Sequence, residues 1–261
     1  MPSITQEVFD CEKPVAFVTG SQSPRVGQTI ARFLVESGFE VVTHGRTARS
    51  ASQGEPLCMH GDLADESCAQ EWCEQIVNRF GRIDLVVNSA AIWEPKSLEE
   101  TQAEDYLEFF RVNSLASALI CQQFGLQMAR QASGGCLLNI GDWATKRPYK
   151  DFPAYFVSKG SIKTLTRTMA VELASRNPRV RVNAILPGPV LLADEISPER
   201  ESQIVAESLL KRAGTADDVA RAVYFLATSP FITGVCLPVD GGRSIFAGAN
   251  QDAIAHPRFG E

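Results

Sequence analysis

Residues 14–45, PVAFVTGSQSPRVGQTIARFLVESGFEVVTHG, decide the architecture. PVAFVTG (14–20) is apolar along its length and rich in β-branched and aromatic residues, the pattern of a strand buried on both faces. From Gly27 to Ser37 the period changes to that of a helix, with Ile30, Ala31, Leu34 and Val35 on one stripe. FEVVTHG (39–45) returns to a buried strand. This is a βα unit followed by the next strand.

The alternation continues to near the end of the chain. A third strand is expected just before Asp62, then a helix from about Asp65 to Arg79 and the strand RIDLVVNSA (82–90). A long helical segment over about 103–130 leads to GGCLLNIGD (134–142), a helix over about 154–175 to VRVNAILPG (180–188), and a helix over about 216–228 to GVCLPVD (234–240). Such a succession predicts the α/β class: a doubly wound, Rossmann-like parallel sheet of about seven strands with helices on both faces. No composition break, linker or repeat interrupts the 261 residues, so a single domain is expected over 1–261, with a core at about 14–242 and a tail at 243–261. The stretch LLADEISPERESQIVAESLLK (191–211) is expected to form a mobile cover.

Composition narrows the function. The chain is 44% hydrophobic and 21% charged with net charge −6, and its 25 Lys and Arg residues are dispersed, which argues against nucleic-acid binding. The seven cysteines (Cys11, Cys58, Cys68, Cys73, Cys121, Cys136, Cys236) lack CxxC spacing and suit reduced thiols in a cytoplasmic protein. His44, His60 and His256 have no i, i+4 spacing, so no metal site is expected. The opening MPSITQEVFDCEKP has neither the basic start nor the apolar run of a signal peptide, and no long apolar stretch predicts a membrane span.

In open α/β sheets ligands bind beyond the carboxyl ends of the strands. The first such turn reads TGSQSPRVGQTIA: Gly20 can turn tightly off the strand, and Gly27 lets the helix start pack close, leaving N–H groups for a pyrophosphate. Arg25 stands near the place of the usual middle glycine. After the second strand, HGRTARS holds no acid before Glu55 but offers Arg46, Thr47 and Arg49. A guanidinium matches a 2′-phosphate, so NADP(H) is the expected cofactor. Asp62 and Leu63 could edge the adenine, with Asn88 and Ala90 under its ribose. Further on, Tyr155 and Lys159 stand at i, i+4 near a helix start. An ammonium beside a phenol lowers its pKa, which suits proton delivery during hydride transfer.

The order of TGx6G, NSAA (88–91), Asn113, YFVSK (155–159), LPGP (186–189) and VDGG (239–242) resembles the short-chain dehydrogenases/reductases from about Pro14 to Gly242. The resemblance implies an active site of Asn113, Tyr155 and Lys159 and a cofactor flanked by Val26, Pro187 and Gly188. The family's serine falls on Asp142. A hydroxyl donates to a carbonyl oxygen, whereas a carboxylate only accepts and repels an oxyanion, so a ketone is disfavoured unless Asp142 is protonated. A substrate with N–H donors or a C=N bond fits better.

Asp142 with Arg25-Val26-Gly27 resembles the pteridine-reductase branch, including dihydromonapterin reductases. That resemblance implies Tyr155 as acid, Lys159 on the nicotinamide ribose, Asn113 holding a relay water, Asp142 at the ring nitrogen and Arg25 near substrate. The branch often has an aromatic side chain where this chain has Ile92, and the adjacent Trp93 could supply the stacking surface. The expectation is an NADPH-dependent reductase of a pterin-like heterocycle. The alternatives are a carbonyl reductase of the same superfamily and a non-catalytic NADP-binding sensor, the latter having no chemical need of Asn113, Tyr155 and Lys159. The resemblance also implies a homo-oligomer, tetramer or dimer, built through 103–130 and 154–175.

Overall fold

The computed structural model describes residues 3–47, 57–190 and 197–246. A short N-terminal helix, α1 (Ile4–Phe9), is started by a Ser3/Gln6 capping box and leads into β1 (Val15–Val18). Then follow α2 (Val26–Glu36), β2 (Glu40–Gly45), β3 (Cys58–His60), α3 (Cys68–Phe80) and β4 (Leu85–Asn88). Beyond them come α4 (Ala103–Phe110), α5 (Ala116–Arg130), β5 (Gly135–Ile140), α6 (Pro153–Ala174) and β6 (Val180–Pro187). Last are α7 (Pro198–Ala206), α8 (Ala216–Ala227) and β7 (Cys236–Val239).

The strands form one seven-stranded parallel sheet in the order β3-β2-β1-β4-β5-β6-β7. Their apolar runs are explained by two cores, one on each face. Side chains alternate across a strand, so Val15 and Phe17 join Val86, Leu137 and Val182 under α3, α5 and α6. Ala16 and Val18 join Leu85, Val87 and Leu138 under α2 and α8. Phe17 is fully buried, stacked on Phe124 at 5.4 Å and edge-on to Trp72 at 5.9 Å. Burial of such a ring stabilises the fold by about 2–3 kcal/mol. The direction of winding reverses between β1 and β4, which opens a crevice at the carboxyl end of the sheet.

Two segments carry detail that the sequence did not show. The helical segment 103–130 is continuous, and a π-helical turn over Arg111–Leu115 lies between α4 and α5. One extra residue per turn is invisible to a hydrophobic period, and such turns gather at functional sites. The segment expected as a cover contains α7, started by Pro198. Residues 191–196, Arg49, Glu55 and the tail beyond 246 lie outside the described residues. All seven cysteines are free thiols. No described helix is long and apolar enough to cross a membrane. Among the described residues, no three His, Cys, Asp or Glu side chains gather to hold a metal.

Candidate active site

The turn after β1 is held by contacts that only small residues permit. Gly20 has φ +67°, and a Cβ there would come within 2.8 Å of Ala90 Cα; a Cβ on Gly27 would come within 2.7 Å of the Gly20 oxygen. The first turn of α2 therefore lies bare against this loop, with Arg25, exposed, at its N-cap and no side chain capping it. Its orphan N–H groups and dipole suit a pyrophosphate, so the residues present fit a dinucleotide. The Thr19 hydroxyl accepts from Ser89 N and Ala90 N at 3.0 and 3.1 Å, fixing the loop after β4 beside the glycine turn.

A residue missed in the sequence completes the cradle. His44 is buried, accepts the Gly20 N–H at its Nδ1 (3.1 Å) and reaches the Gly61 carbonyl with Nε2 (3.1 Å). These partners require the neutral ring with hydrogen on Nε2, and burial pushes its pKa below the ordinary value. The available signal was an imidazole near the end of an otherwise apolar strand. Arg46 and Thr47 follow directly on β2 and are exposed. Asp62, also exposed, accepts from Ala64 N at 2.9 Å and shapes the turn after β3, with Leu63 half-buried beside it.

Asn88 is buried and works inside the sheet. It donates to Asn139 Oδ1 at 2.9 Å, and Asn139 donates to Thr166 at 3.1 Å, so its side chain ties β4 to β5. Pro187 ends β6, and Gly188 follows it against Asp240, whose Cα a Gly188 Cβ would meet at 2.6 Å.

The catalytic candidates converge beyond β5. Asp142 caps a 3₁₀ turn, Trp143–Thr145, accepting Ala144 N at Oδ1 (2.7 Å). Its other oxygen, Oδ2, accepts the Tyr155 hydroxyl at 2.6 Å. Burial raises the Asp142 pKa against the pull of this hydrogen bond, of Ala144 N–H and of Lys159 and Lys163. Lys159, one helical turn from Tyr155, is buried and donates to the Ile140 carbonyl at 2.8 Å. Desolvation pushes its ammonium down to about 8, with Asp142 acting in the opposite direction.

The expectation that Lys159 lowers the Tyr155 pKa is corrected. The phenol lies well above its ordinary value, first through burial and then through the negative charge of Asp142 that accepts its proton. Asn113 has a bracing role that the sequence did not show. Its side chain accepts from Ile92 N (2.9 Å) and donates to Ile92 O (3.1 Å) and Ser158 Oγ (3.0 Å), so it braces the loop after β4 against α6, spending both amide hydrogens and keeping one acceptor position on Oδ1. Trp93 is 44% exposed and stacks on Phe152 at 4.8 Å; Phe152 in turn stands edge-on to Tyr155 at 6.3 Å. Tyr149 packs edge-on to Phe152 at 5.2 Å, so an aromatic wall that the sequence reading missed apart from Trp93 flanks the Tyr155–Asp142 pair.

Residues 23–244 match the family described as Enoyl-(Acyl carrier protein) reductase. A bovine (Bos taurus) 3-oxoacyl-[acyl-carrier-protein] reductase is 31% identical over 241 residues, covering 90% of this chain and 99% of that protein. Carbonyl reductase family member 4 of Xenopus laevis is 31% identical over 225 residues, 84% and 94% of the two chains. The ligand-free structure of an aldohexose dehydrogenase from Thermoplasma acidophilum superposes with a TM-score of 0.80 at 26% identity, covering 92% of this chain and 97% of the other.

Proposed function

Because the chain belongs to the short-chain dehydrogenase/reductase family of oxidoreductases, whose members use NAD(P)H, we propose that it is an NADPH-dependent reductase of a C=N bond in a pterin-like heterocycle. The carrying observation is the 2.6 Å hydrogen bond from Tyr155 to a half-buried carboxyl, Asp142, where a carbonyl reductase needs a donor. The whole chain is read as one domain.

Gly20, Arg25, Val26 and Gly27 would hold the pyrophosphate, Arg46 and Thr47 the 2′-phosphate, Asp62 and Leu63 the adenine, and Asn88 and Ala90 line its ribose. Pro187 and Gly188 would flank the nicotinamide, with Lys159 at its ribose. When bound, this cofactor supplies a hydride. The chain supplies the proton: Tyr155 and Asp142 share one, and the raised pKa of Asp142 keeps it available as the substrate nitrogen becomes basic. Asn113 holds the loop at Ile92 in place, and its own carbonyl, within the π turn, is the atom through which it would hold a relay water. Trp93 offers the face turned away from Phe152 to a planar ring, and Arg25 approaches the same ring from the glycine turn. Leu107, Phe110, Val157 and Val171, exposed on α4 and α6, support a homo-oligomer built through these helices.

A second reading, reduction of a ketone, is favoured by the activities named for the relatives. Burial that keeps Asp142 protonated would let it donate to a carbonyl oxygen. The test is loss of NADPH absorbance against dihydrobiopterin, dihydromonapterin, dihydrofolate, a cyclic imine and several ketones, with NADH as control. Turnover of a pterin or imine supports the first reading; turnover of ketones alone, surviving Asp142→Ala, replaces it with the second. Tight NADPH binding with no turnover on the panel favours a sensor.

A further inference from the structure

We propose that Arg243 is a positioning residue that ties α7 to the catalytic turn and so holds Asp142 in register with Tyr155. The proposal rests on the reading of those two groups as the proton source. Arg243 is only 8% exposed although it follows two glycines near the end of the described chain. A guanidinium tolerates such burial only when its charge and its donors are matched.

The matching is divided between two elements. The central carbon of the guanidinium lies over the Trp143 indole, 4.8 Å from the ring centroid, and Trp143 directly follows Asp142. Its terminal N–H groups donate to the Glu207 carboxylate and to the Ile204 carbonyl at the carboxyl end of α7. A cation there complements the helix dipole and satisfies a carbonyl that no further helical turn would reach.

The backbone around Arg243 is shaped to receive the same segment. Gly241 and Gly242 have φ +61° and +81°, and a Cβ on them would strike Ser208 Oγ and Leu209 respectively. Ser208 Oγ and Leu210 N donate to the Gly241 carbonyl at 3.0 and 3.2 Å, while Asp240 fixes the turn by accepting from Gly242 N and Ser244 N. Arg147, just beyond the catalytic turn, donates to the Arg243 carbonyl at 3.0 Å and to that of Phe246. Thus the catalytic turn, the end of α7 and the turn after β7 meet on one side chain, and a shift of α7 is transmitted to Trp143 and its neighbour Asp142.

Lysine at this position keeps the charge for Glu207 but loses the plane that covers Trp143. The test compares wild type, Arg243→Lys, Arg243→Ala and Glu207→Gln, with dihydrobiopterin and ethyl acetoacetate as probes. Both Arg243 variants are expected to lose about tenfold or more in kcat, with the NADPH dissociation constant unchanged within about twofold. The alkaline limb of the kcat profile should move to lower pH, because a loosened turn exposes Asp142 and lets its pKa fall toward the ordinary carboxylate range. Tyr155, Lys159 and Lys163 act on Asp142 from α6, and Asp142 and Arg243 both act on Tyr149; only Arg243 is changed in these variants. Recovery of both kcat and the pH profile by Arg243→Lys, or an unmoved profile in Arg243→Ala, overturns the proposal.

A readout free of turnover is tryptic cleavage at Lys211–Arg212 with NADPH bound, expected to quicken in both Arg243 variants and in Glu207→Gln, which alters a half-exposed side chain and leaves the turn intact. An unchanged cleavage rate overturns the tie whatever the reaction. Faster cleavage together with full activity in Tyr155→Phe keeps the tie and discards the proton-source reading instead.

Discussion

The Tyr155 hydroxyl donates to Asp142 Oδ2 across 2.6 Å, joining the second residue beyond β5 to the third residue of α6. The phenol therefore does not stand alone beside a lysine; it shares its proton with a half-buried carboxyl. Tyr155→Phe removes that proton and should reduce kcat by at least about a hundredfold while leaving NADPH affinity within a few-fold. Steady-state rates and fluorescence titration check this, and a fully active variant would exclude the phenol from the chemistry.

Asp142→Ser replaces an acceptor with a donor at the same place. Reduction of a C=N probe should fall by about tenfold or more, while reduction of a ketone probe should rise relative to it. Measuring kcat/KM for both probes on both proteins decides the matter: equal losses on the two would remove Asp142 as the determinant of substrate class.

Lys159 is buried with its pKa pushed down to about 8. A depressed pKa means that the lysine's contribution to stability is present above its ordinary value of 10.5 and is lost as pH falls through about 8. Below that, holding the charged amine inside costs up to roughly 3 kcal/mol. Lys159→Met should thus raise Tm at neutral pH, lose that advantage as pH approaches the lysine's ordinary range, and sharply lower kcat. Calorimetry across pH would refute this if the gain did not depend on pH.

The guanidinium of Arg46 lies exposed directly after β2. Arg46→Asp should lower the preference for NADPH over NADH by about tenfold to a hundredfold, since a carboxylate repels a 2′-phosphate and accepts from ribose hydroxyls. Unchanged ratios of kcat/KM would place the 2′-phosphate contact elsewhere.

His44 supplies a pH effect of its own. Its pKa is held below 6.5 by burial, so the neutral ring's contribution is present above that value and is lost as pH falls through the depressed one. Protonation removes the acceptor for Gly20 N–H. NADPH affinity should weaken on acidification through this range, and His44→Gln should flatten that dependence; a titration that stays steep in the variant would assign the effect to another group.

The sequence by itself determined the sheet and the glycine turn at its carboxyl edge, because those properties are local and periodic. PVAFVTG and FEVVTHG must be buried on both faces, glycines at 20 and 27 permit the close turn, and a tyrosine and a lysine four residues apart share a helix face wherever that helix lies. It also placed an acid, Asp142, at the position where the family resemblance implies a serine. Only the tertiary structure decided what each group touches. That Lys159 bonds the Ile140 carbonyl while Tyr155 bonds Asp142, that Asn113 spends its amide on Ile92 inside a π turn, and that Arg243 reaches Trp143 are relations between residues far apart in the chain. The pKa values follow from those contacts and from burial. A lysine at i+4 suggests an acidic tyrosine; the folded chain, by burying the phenol against a carboxylate, raises its pKa instead.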